Sequence, residues 1–355
     1  MITRSPLRLL QADVLCECAA QRHQISWRAM HRVSSKLLRL LAALGIALAG
    51  AKASAQENYP NRAIRIVVPF PAGGPADVMA RIIAERMSED FGRAVVVDNR
   101  PGANTVIGAQ LVAKADPDGY TLLMAIDSTL VINQYLYSNL PYDPIKDFAP
   151  VTLVARNIGL LVVNAAGDVK TASDLIAKAK AQPGKLNCGA GTITTKLTCF
   201  LFSDRAGIDT VLLPYNGSAE VAHGILTRSV DFVFDGPSAV LPLIQSGDLR
   251  ALAKLDDRQF PPVPDLPTLN AATGVDLGNV SVWLGLVAPR GTPPGIVDRL
   301  NSEVAKILND PQVKSKADAV GLYPTTSTPA EFVGFIAREA ARWPAVVSKS
   351  GMHFD

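Results

Sequence analysis

The sequence predicts an α/β protein with two lobes joined by two crossing strands that act as a hinge. Short β-branched runs alternate with stretches of helical periodicity, which is typical of largely parallel sheets covered by helices. Two longer strand patterns, residues 151–164 and 280–288, are each long enough to leave one lobe and enter another. Once a leader is removed, roughly 300 residues remain, a length that usually divides into two domains.

Residues 56–156, the first part of lobe 1, alternate between strand and helix. The strand patterns are short and apolar, and helix 75–91 places its apolar residues on one side. The predicted order is strand 64–69, helix 75–91, strand 94–98, helix 105–115, strand 120–126 and helix 129–137.

Residues 157–279 form the predicted lobe 2, and residues 280–355 return to lobe 1. A break at residues 157–159 divides the strand pattern 151–164. Two lobes with two antiparallel crossings make a hinged clamshell whose cleft is a natural ligand site. Lobe 2 is predicted to contain helix 173–181, strand 186–190, helix 194–206, strand 211–213, helix 219–227 and strand 230–234. Strand 280–288 and helices 294–308, 311–320 and 329–349 follow.

The first 55 residues have the features of a leader that is removed on export. From Met30, a basic stretch precedes an uncharged apolar run, residues 40–51, and Ala53-Ser54-Ala55 follows. This order is that of a secretory signal peptide, so we expect cleavage after Ala55. Residues 1–29 fit no signal-peptide region. They are either sequence upstream of a true start at Met30 or a long basic n-region.

The charge of the mature part argues against nucleic-acid binding. The leader holds eight of the 35 Lys and Arg residues and two of the 32 Asp and Glu residues, which leaves 27 basic and 30 acidic residues. Nucleic-acid binders carry clustered Lys and Arg, and no such cluster occurs here. The sequence also lacks nucleotide-cradle motifs and metal-ligand clusters, so we expect neither a cofactor nor a metal.

Four cysteines are present, and Cys16 and Cys18 leave with the leader. Cys188 and Cys199 remain in an oxidising compartment. They form either one bridge or two buried free thiols, and the sequence does not decide between these.

The most informative motif is residues 69–77, PFPAGGPAD, between a predicted strand and a predicted helix. Its two glycines allow a tight turn and close approach to a ligand, and Pro75 suits the first helical turn. Helix N–H groups then face outward at the end of the strand, a geometry that binds anions. The alternative is an ordinary strand-to-helix turn.

Lobe 2 contains a parallel feature in residues 187–195, NCGAGTITT, again between strand and helix. The hydroxyls of Thr192, Thr194 and Thr195, and the N–H groups beside them, are candidates to hold the other end of a ligand. A threonine in this position is equally suited to capping the helix.

Segments from Tyr59 to the C-terminus together resemble one family. They are YPNRAIRIVVPFPAGGPADVMAR, VVVDNRPGANTVIGAQLVAKADPDGYTLL, LPYDPIKDFAPVTLVA, QPGKLN, SGDLRALA and WLGLVAPRGTPPGIVDRLN. The family is that of the Bug-type extracytoplasmic solute receptors, the binding components of tripartite tricarboxylate transporters.

The resemblance implies a two-lobed periplasmic binding protein fold, type II-like, whose facing loops hold a carboxylate with the help of bound water. It implies a periplasmic receptor that serves membrane subunits of a transporter and performs no chemistry. We expect a monomer whose ligand is a small carboxylate or an amino acid. The residues that the resemblance places at the ligand are Phe70, Ala72, Gly73, Gly74, Pro75, Asp77, Asp127, Ser128, Ala190, Gly191, Thr192, Thr195 and Asp235.

Four residues within or beside this set either depart from the family pattern or are suited to a role other than ligand contact. Relatives commonly have a neutral residue where Asp127 stands, and a longer Ser-rich loop with a His where this chain has Thr195 and Lys196. Asp77 in the first helical turn is suited to stabilising that turn. Asp235 is suited to ordering its loop or to pairing with a ligand ammonium group. Lys196 is either a solvated helix residue or a ligand contact.

Two other functions compete with the transport receptor. An enzyme on the same scaffold would need a catalytic constellation, and only Cys188 lies near the proposed cleft, without an obvious activating base. A receptor that reports its ligand to a membrane sensor would share the whole binding site, so the sequence does not separate it from a transport receptor.

Overall fold

The computed structural model describes residues 59–278, 280, 282–319 and 321–354. Every element given below belongs to the unit Pro60–Asp355. The predicted leader, the alternative start at Met30 and the cleavage after Ala55 lie outside the described residues. Within the described part of the chain, no helix is both long and apolar enough to cross a membrane.

The described strands form one six-stranded and one five-stranded sheet. In chain order the strands are β1 (Ile64–Val68), β2 (Val95–Asn99), β3 (Thr121–Ile126), β4 (Phe148–Asn157), β5 (Leu160–Asn164), β6 (Leu186–Ala190), β7 (Thr210–Pro214), β8 (Phe232–Asp235), β9 (Leu249–Lys254), β10 (Trp283–Pro289) and β11 (Leu322–Pro324).

Helices connect these strands and cover both sheets. They are α1 (Pro75–Phe91), α2 (Val106–Ala113), α3 (Asn133–Leu136), α4 (Ala172–Ala181), α5 (Ile193–Ala206), α6 (Ser218–Leu226), α7 (Pro237–Gln245), α8 (Leu269–Thr273), α9 (Pro294–Asn309), α10 (Pro311–Asp318), α11 (Pro329–Ala340) and α12 (Trp343–Ser350). A 3-10 turn, Ala103–Thr105, precedes α2, and a π-helical turn, Ser128–Ile132, precedes α3.

Each sheet is mixed. Lobe 1 contains the sheet ordered β11-β4-β10-β3-β1-β2, in which β1 is parallel to β2 and β3, and β10 is antiparallel to β3 and β4. Lobe 2 contains the sheet ordered β7-β6-β8-β5-β9, in which β6 is parallel to β7 and β8, and β5 is antiparallel to β8 and β9. The expectation of largely parallel sheets therefore holds only for the strands joined by helical crossovers.

The chain passes between the two sheets at residues 158–159. β4 and β5 are consecutive strands, yet they lie in different sheets, and Ile158 and Gly159 connect them. A Cβ on Gly159 would lie 2.7 Å from Leu255 Cδ1, so glycine lets the segment after β9 pack closely against this crossing. The chain returns to the lobe 1 sheet at β10.

Two differences between the predicted and observed helices involve proline. The prediction of one helix over residues 329–349 is wrong, because α11 ends at Ala340 and α12 begins at Trp343. Pro344 occupies the first turn of α12, where its missing N–H does no harm, whereas in mid-helix it would remove a backbone hydrogen bond. Helix α7 was not predicted, and it contains Pro242, a residue that is disfavoured inside a helix.

Aromatic side chains fix the helix layers to the sheets. In lobe 2 the Phe202 ring of α5 meets the Phe232 and Phe234 rings of β8 edge-on, at centroid distances of 5.8 and 5.2 Å. In lobe 1 the Trp283 ring of β10 meets the Phe332 ring of α11 at 5.8 Å. Edge-to-face pairs at such distances stabilise beyond the area that they bury.

A disulfide joins Cys188 of β6 to Cys199 of α5, with their Cα atoms 6.2 Å apart. Both residues are buried. The bridge decides between the two possibilities that the sequence left open. It ties the strand to the helix on either side of the loop that the sequence predicted as the second ligand-binding turn.

Replacing both cysteines with alanine is expected to lower the free energy of unfolding by about 2–3 kcal/mol, because the bridge closes a short loop in the unfolded chain. Urea unfolding of the oxidised wild type and of the double variant measures this difference. Reduced wild type is the matched control and should unfold like the variant. Equal midpoints for the oxidised wild type and the variant would contradict the expectation.

Candidate functional site

A cavity of about 230 Å³ opens between the two lobes. It lies just below the size of typical small-molecule sites, roughly 300–1,000 Å³, so it suits a small ligand. The residues that follow β1, β6, β7 and β8 line it, together with the crossing residues Asn157 and Gly159. Its apolar walls are Phe70, Ile126, Phe234, Leu255, Val280, Val282 and Leu284.

Among the described helices, the four that begin at this cavity are α1, α5, α6 and α7. Gly74, Gly217 and Gly236 are the N-cap residues of α1, α6 and α7, and none supplies a side chain to cap the first turn. First-turn N–H groups have no partner inside the helix, and each helix N-terminus carries a partial positive charge. Main-chain donors from both lobes are therefore available to an anion.

Side-chain charge in the cavity wall is negative. Among the described residues that line the cavity, the charged ones are Glu220 and Asp235, and Lys and Arg do not occur. Lys196 lies outside this lining, and burial lowers its pKa. Attraction for an anion must therefore come from main-chain N–H groups, helix dipoles and hydroxyls.

Asp77 stabilises the first loop without lining the cavity itself. Its carboxylate accepts hydrogen bonds from the Gly73 N–H, Arg81 Nε and Asn99 Nδ2, each at 2.9 Å. Burial acts to raise the pKa of Asp77, but the hydrogen bonds from Arg81, Gly73 and Asn99 outweigh it and lower the pKa below its ordinary value. The side chain is saturated with donors and holds the turn at Gly73.

We expect Asp77→Asn to weaken ligand binding about tenfold and to lower the free energy of unfolding by roughly 1–3 kcal/mol, because an amide places an N–H against one of three donors. Titration calorimetry and urea unfolding measure these effects. Asp98→Asn is the matched control, since Asp98 pairs with Arg65 and Arg100 on the protein surface and such pairs contribute little. If the two variants bind equally well, Asp77 does not support the loop.

The second loop is held by a reciprocal cap. The Thr192 N–H donates to Thr195 Oγ1 at 3.0 Å, and the Thr195 N–H donates to Thr192 Oγ1 at 3.2 Å. Gly191 packs against the α6 loop, where a Cβ would lie 2.6 Å from the Gly217 carbonyl carbon. Since backbone cannot move aside cheaply, only glycine allows the α5 and α6 N-termini to approach one cavity this closely.

Asp127 follows β3 and connects the lobes through Thr194, which lines the cavity. The residue is 0% exposed. Its Oδ1 accepts the Ser128 N–H at 2.8 Å, and its Oδ2 accepts the Thr194 hydroxyl of lobe 2 at 2.7 Å. Burial raises the pKa of Asp127 to about 7, against the lowering effect of these two hydrogen bonds.

Asp235 ends β8 and lines the cavity from lobe 2. Its Oδ1 accepts the Ser218 hydroxyl at 2.8 Å and the Gly236 N–H at 2.7 Å. Burial raises the pKa of Asp235 to about 6, while these two donors act to lower it. The Asp235 carboxylate therefore lies between the N-termini of α6 and α7.

Comparison with known proteins identifies the family. The model of the tripartite tricarboxylate transporter family receptor, TctC, matches residues 79–352. The chain belongs to this family. Protein BugT of Bordetella pertussis is 37% identical over 321 residues, which cover 89% of this chain and 98% of BugT.

Solved structures of similar proteins share the fold of this receptor. The R. palustris protein Rpa4515 with adipate has a TM-score of 0.80 and 35% identity over 83% of this chain and 99% of its own. MatC from Rhodopseudomonas palustris with bound malate has a TM-score of 0.75 and 29% identity over 81% and 100%. The receptor is thus a two-lobed periplasmic binding protein, a class that works in the periplasm.

The receptor brings about half of the predicted ligand residues to the cavity wall. These are Phe70, Ala72, Gly74, Pro75, Thr192, Thr195 and Asp235. The others, Gly73, Asp77, Asp127, Ser128, Ala190 and Gly191, lie outside the lining, and several of them support it through the contacts described above. Direct ligand contact by any of these residues stays a prediction.

Sequence reasoning missed two features of the receptor site. The turn at Gly217 follows β7 and precedes α6, so residues 214–220, PYNGSAE, carry the same strand–glycine–helix signal as the two loops that were recognised. Asn157 also lines the cavity. Asn157 carries no local signal, because its position depends on the crossing between sheets.

Proposed function

We propose that this receptor captures a small carboxylate between its lobes and delivers it to the membrane subunits of a tripartite transporter. The observation that carries the proposal is the convergence of helix N-termini from both lobes on one cavity, among them α1 of lobe 1 and α5 of lobe 2, whose ends do not bond the Asp235 carboxylate. Adipate and malate in the cited R. palustris structures support a carboxylate as ligand.

Affinity in the micromolar range requires about 8 kcal/mol, and each hydrogen bond to a charged group contributes roughly 1.5–3 kcal/mol. Loss of ligand freedom subtracts from that sum. One loop is therefore insufficient, and binding needs donors from lobe 1 and lobe 2 together. The protein acts by closing its lobes around the ligand.

The proposal includes no chemical step. Cys188, the one nucleophile that the sequence placed near the cleft, is bonded to Cys199 and so is not a free thiol. Membership in a solute-receptor family supports the same view. The protein acts as a monomer that docks on its transporter. Pull-down against transporter subunits and against sensor kinases distinguishes delivery from signalling.

A thermal-shift screen of the purified protein tests ligand class. The screen covers mono- and dicarboxylates and amino acids. An acid that binds should, at 1,000 times its own Kd, stabilise the fold by about 4 kcal/mol through mass action. Neutral sugars of similar size are the control and should give no shift. A shift with sugars and none with any carboxylate would sink the proposal.

A further inference from the structure

One oxygen of Asp235 lacks a hydrogen-bond partner within the described part of the protein. The residue is 6% exposed and lines the cavity. Both of its hydrogen bonds, from Ser218 and Gly236, go to Oδ1. Oδ2 is buried without a hydrogen-bond partner among the described residues.

An unpaired oxygen on a buried carboxylate is costly, so a donor is expected to meet it in the functional state. The described part of the cavity wall contains no Lys or Arg that would do so. Glu220, the other charged residue of the wall, is also an acid. In the unliganded site bound water can meet this oxygen, and a ligand that carries a donor would replace that water.

Asn157 places a second acceptor in the same wall. Its Oδ1 is buried without a hydrogen-bond partner among the described residues. Its amide packs against Gly236, the neighbour of Asp235, where a Cβ would lie 1.9 Å from Asn157 Nδ2. The Asn157 amide can rotate to present its N–H instead, but an ionised carboxylate only accepts hydrogen bonds. Asp235 is therefore the residue that makes this part of the wall require a donor from the ligand.

Asp235 also limits where an anion fits. The hydrogen bonds from Ser218 and Gly236 place its carboxylate at the N-termini of α6 and α7. Those two helix ends already face a negative charge. A ligand carboxylate avoids that side by like-charge repulsion and is left with the N-termini of α1 and α5.

We propose that the ligand is an amino carboxylic acid, whose carboxylate lies at α1 and α5 and whose ammonium group donates to Asp235 Oδ2 and Asn157 Oδ1. This inference rests on the proposed function and specifies its substrate class. An ammonium group carries three donors, enough for both orphan acceptors. The rest of the wall is largely apolar and accepts a short carbon skeleton.

The test compares amino acids with analogues that lack only the amino group. Suitable pairs are aspartate with succinate, glutamate with glutarate, and phenylalanine with 3-phenylpropanoate, measured by titration calorimetry on wild type, Asp235→Asn and Asp231→Asn. Asp231 is the matched control, because it lies in the same lobe on the surface and bonds the Asn187 N–H away from the cavity.

We expect wild type and Asp231→Asn to bind one amino acid at least tenfold more tightly than its pair. Asp235→Asn should lose that preference by weakening the amino acid alone. The inference is overturned if wild type prefers the analogue without the amino group, or if Asp235→Asn keeps the wild-type ratio. The wild-type comparison remains decisive should the variant fail to fold. Absence of binding by every acid would instead defeat the proposed function.

Discussion

Gly74→Leu is expected to lower affinity for the ligand at least a hundredfold and to leave the melting temperature within about 2 °C of wild type. Gly74 lines the cavity at the N-terminus of α1. Its backbone angles, φ −80° and ψ 170°, suit any residue, and a Cβ there would meet only the Pro71 carbonyl oxygen at 3.9 Å. The fold therefore accepts a side chain, while the binding volume and the first-turn N–H groups do not.

The size of the loss follows from what the leucine blocks. A hundredfold change in affinity corresponds to about 2.8 kcal/mol, comparable to one or two hydrogen bonds to a charged group. Titration calorimetry with the best ligand of the screen measures it, beside thermal melting. Gly74→Ala is the graded control and should cost only a few-fold in affinity. Wild-type affinity in the leucine variant would show that the ligand does not lie against α1.

The first loop was predictable because its signals are local. Residues 69–77 combine a strand end, two glycines and Pro75 at a helix start, and each of these acts within a few residues. The same holds for Thr192 and Thr195, whose spacing is that of a reciprocal cap. Short-range geometry was therefore sufficient to place two of the four helix N-termini.

The remaining parts of the site depend on contacts that are distant in sequence. Thr194 and Asp127 are 67 residues apart and meet only because lobe 2 closes on lobe 1. Asn157 reaches the cavity through the crossing from β4 to β5. The N-terminus of α7 was not predicted. Pro242 lies inside this helix, where proline is disfavoured, and the packing of the helix outweighs that cost.

Asp127→Asn is expected to raise the free energy of unfolding at pH 8 by as much as about 4 kcal/mol. Burial raises the pKa of Asp127 from its ordinary value of 3.8 to about 7, and one pKa unit corresponds to about 1.4 kcal/mol. Besides burial, the Thr194 hydroxyl and the Ser128 N–H lower the pKa of Asp127 through hydrogen bonds. The charge of Glu339 raises this pKa, and the charge of Arg342 lowers it.

The sign follows from proton uptake. The folded state holds a proton on Asp127 at pH values where the unfolded chain has lost it, so stability falls as pH rises from about 4 to about 7, and the loss is complete above pH 7. Asparagine is neutral at every pH. Its oxygen accepts the Ser128 N–H and its amide donates to the Thr194 hydroxyl, which can reverse its own role.

Urea unfolding of wild type and Asp127→Asn at pH 5, 6, 7 and 8 separates the contributions of Asp127 and Asp235 to the pH dependence of stability. Wild type should lose stability across the whole range up to pH 7. The variant should lose it only up to about pH 6, because Asp235, whose pKa is raised to about 6, remains. Thr194→Val is the matched control: it removes a hydrogen bond that lowers the pKa of Asp127 but keeps the buried carboxylate, so the loss of stability should extend to higher pH. A variant less stable than wild type at pH 8 would mean that the charged form of Asp127 holds the lobes together.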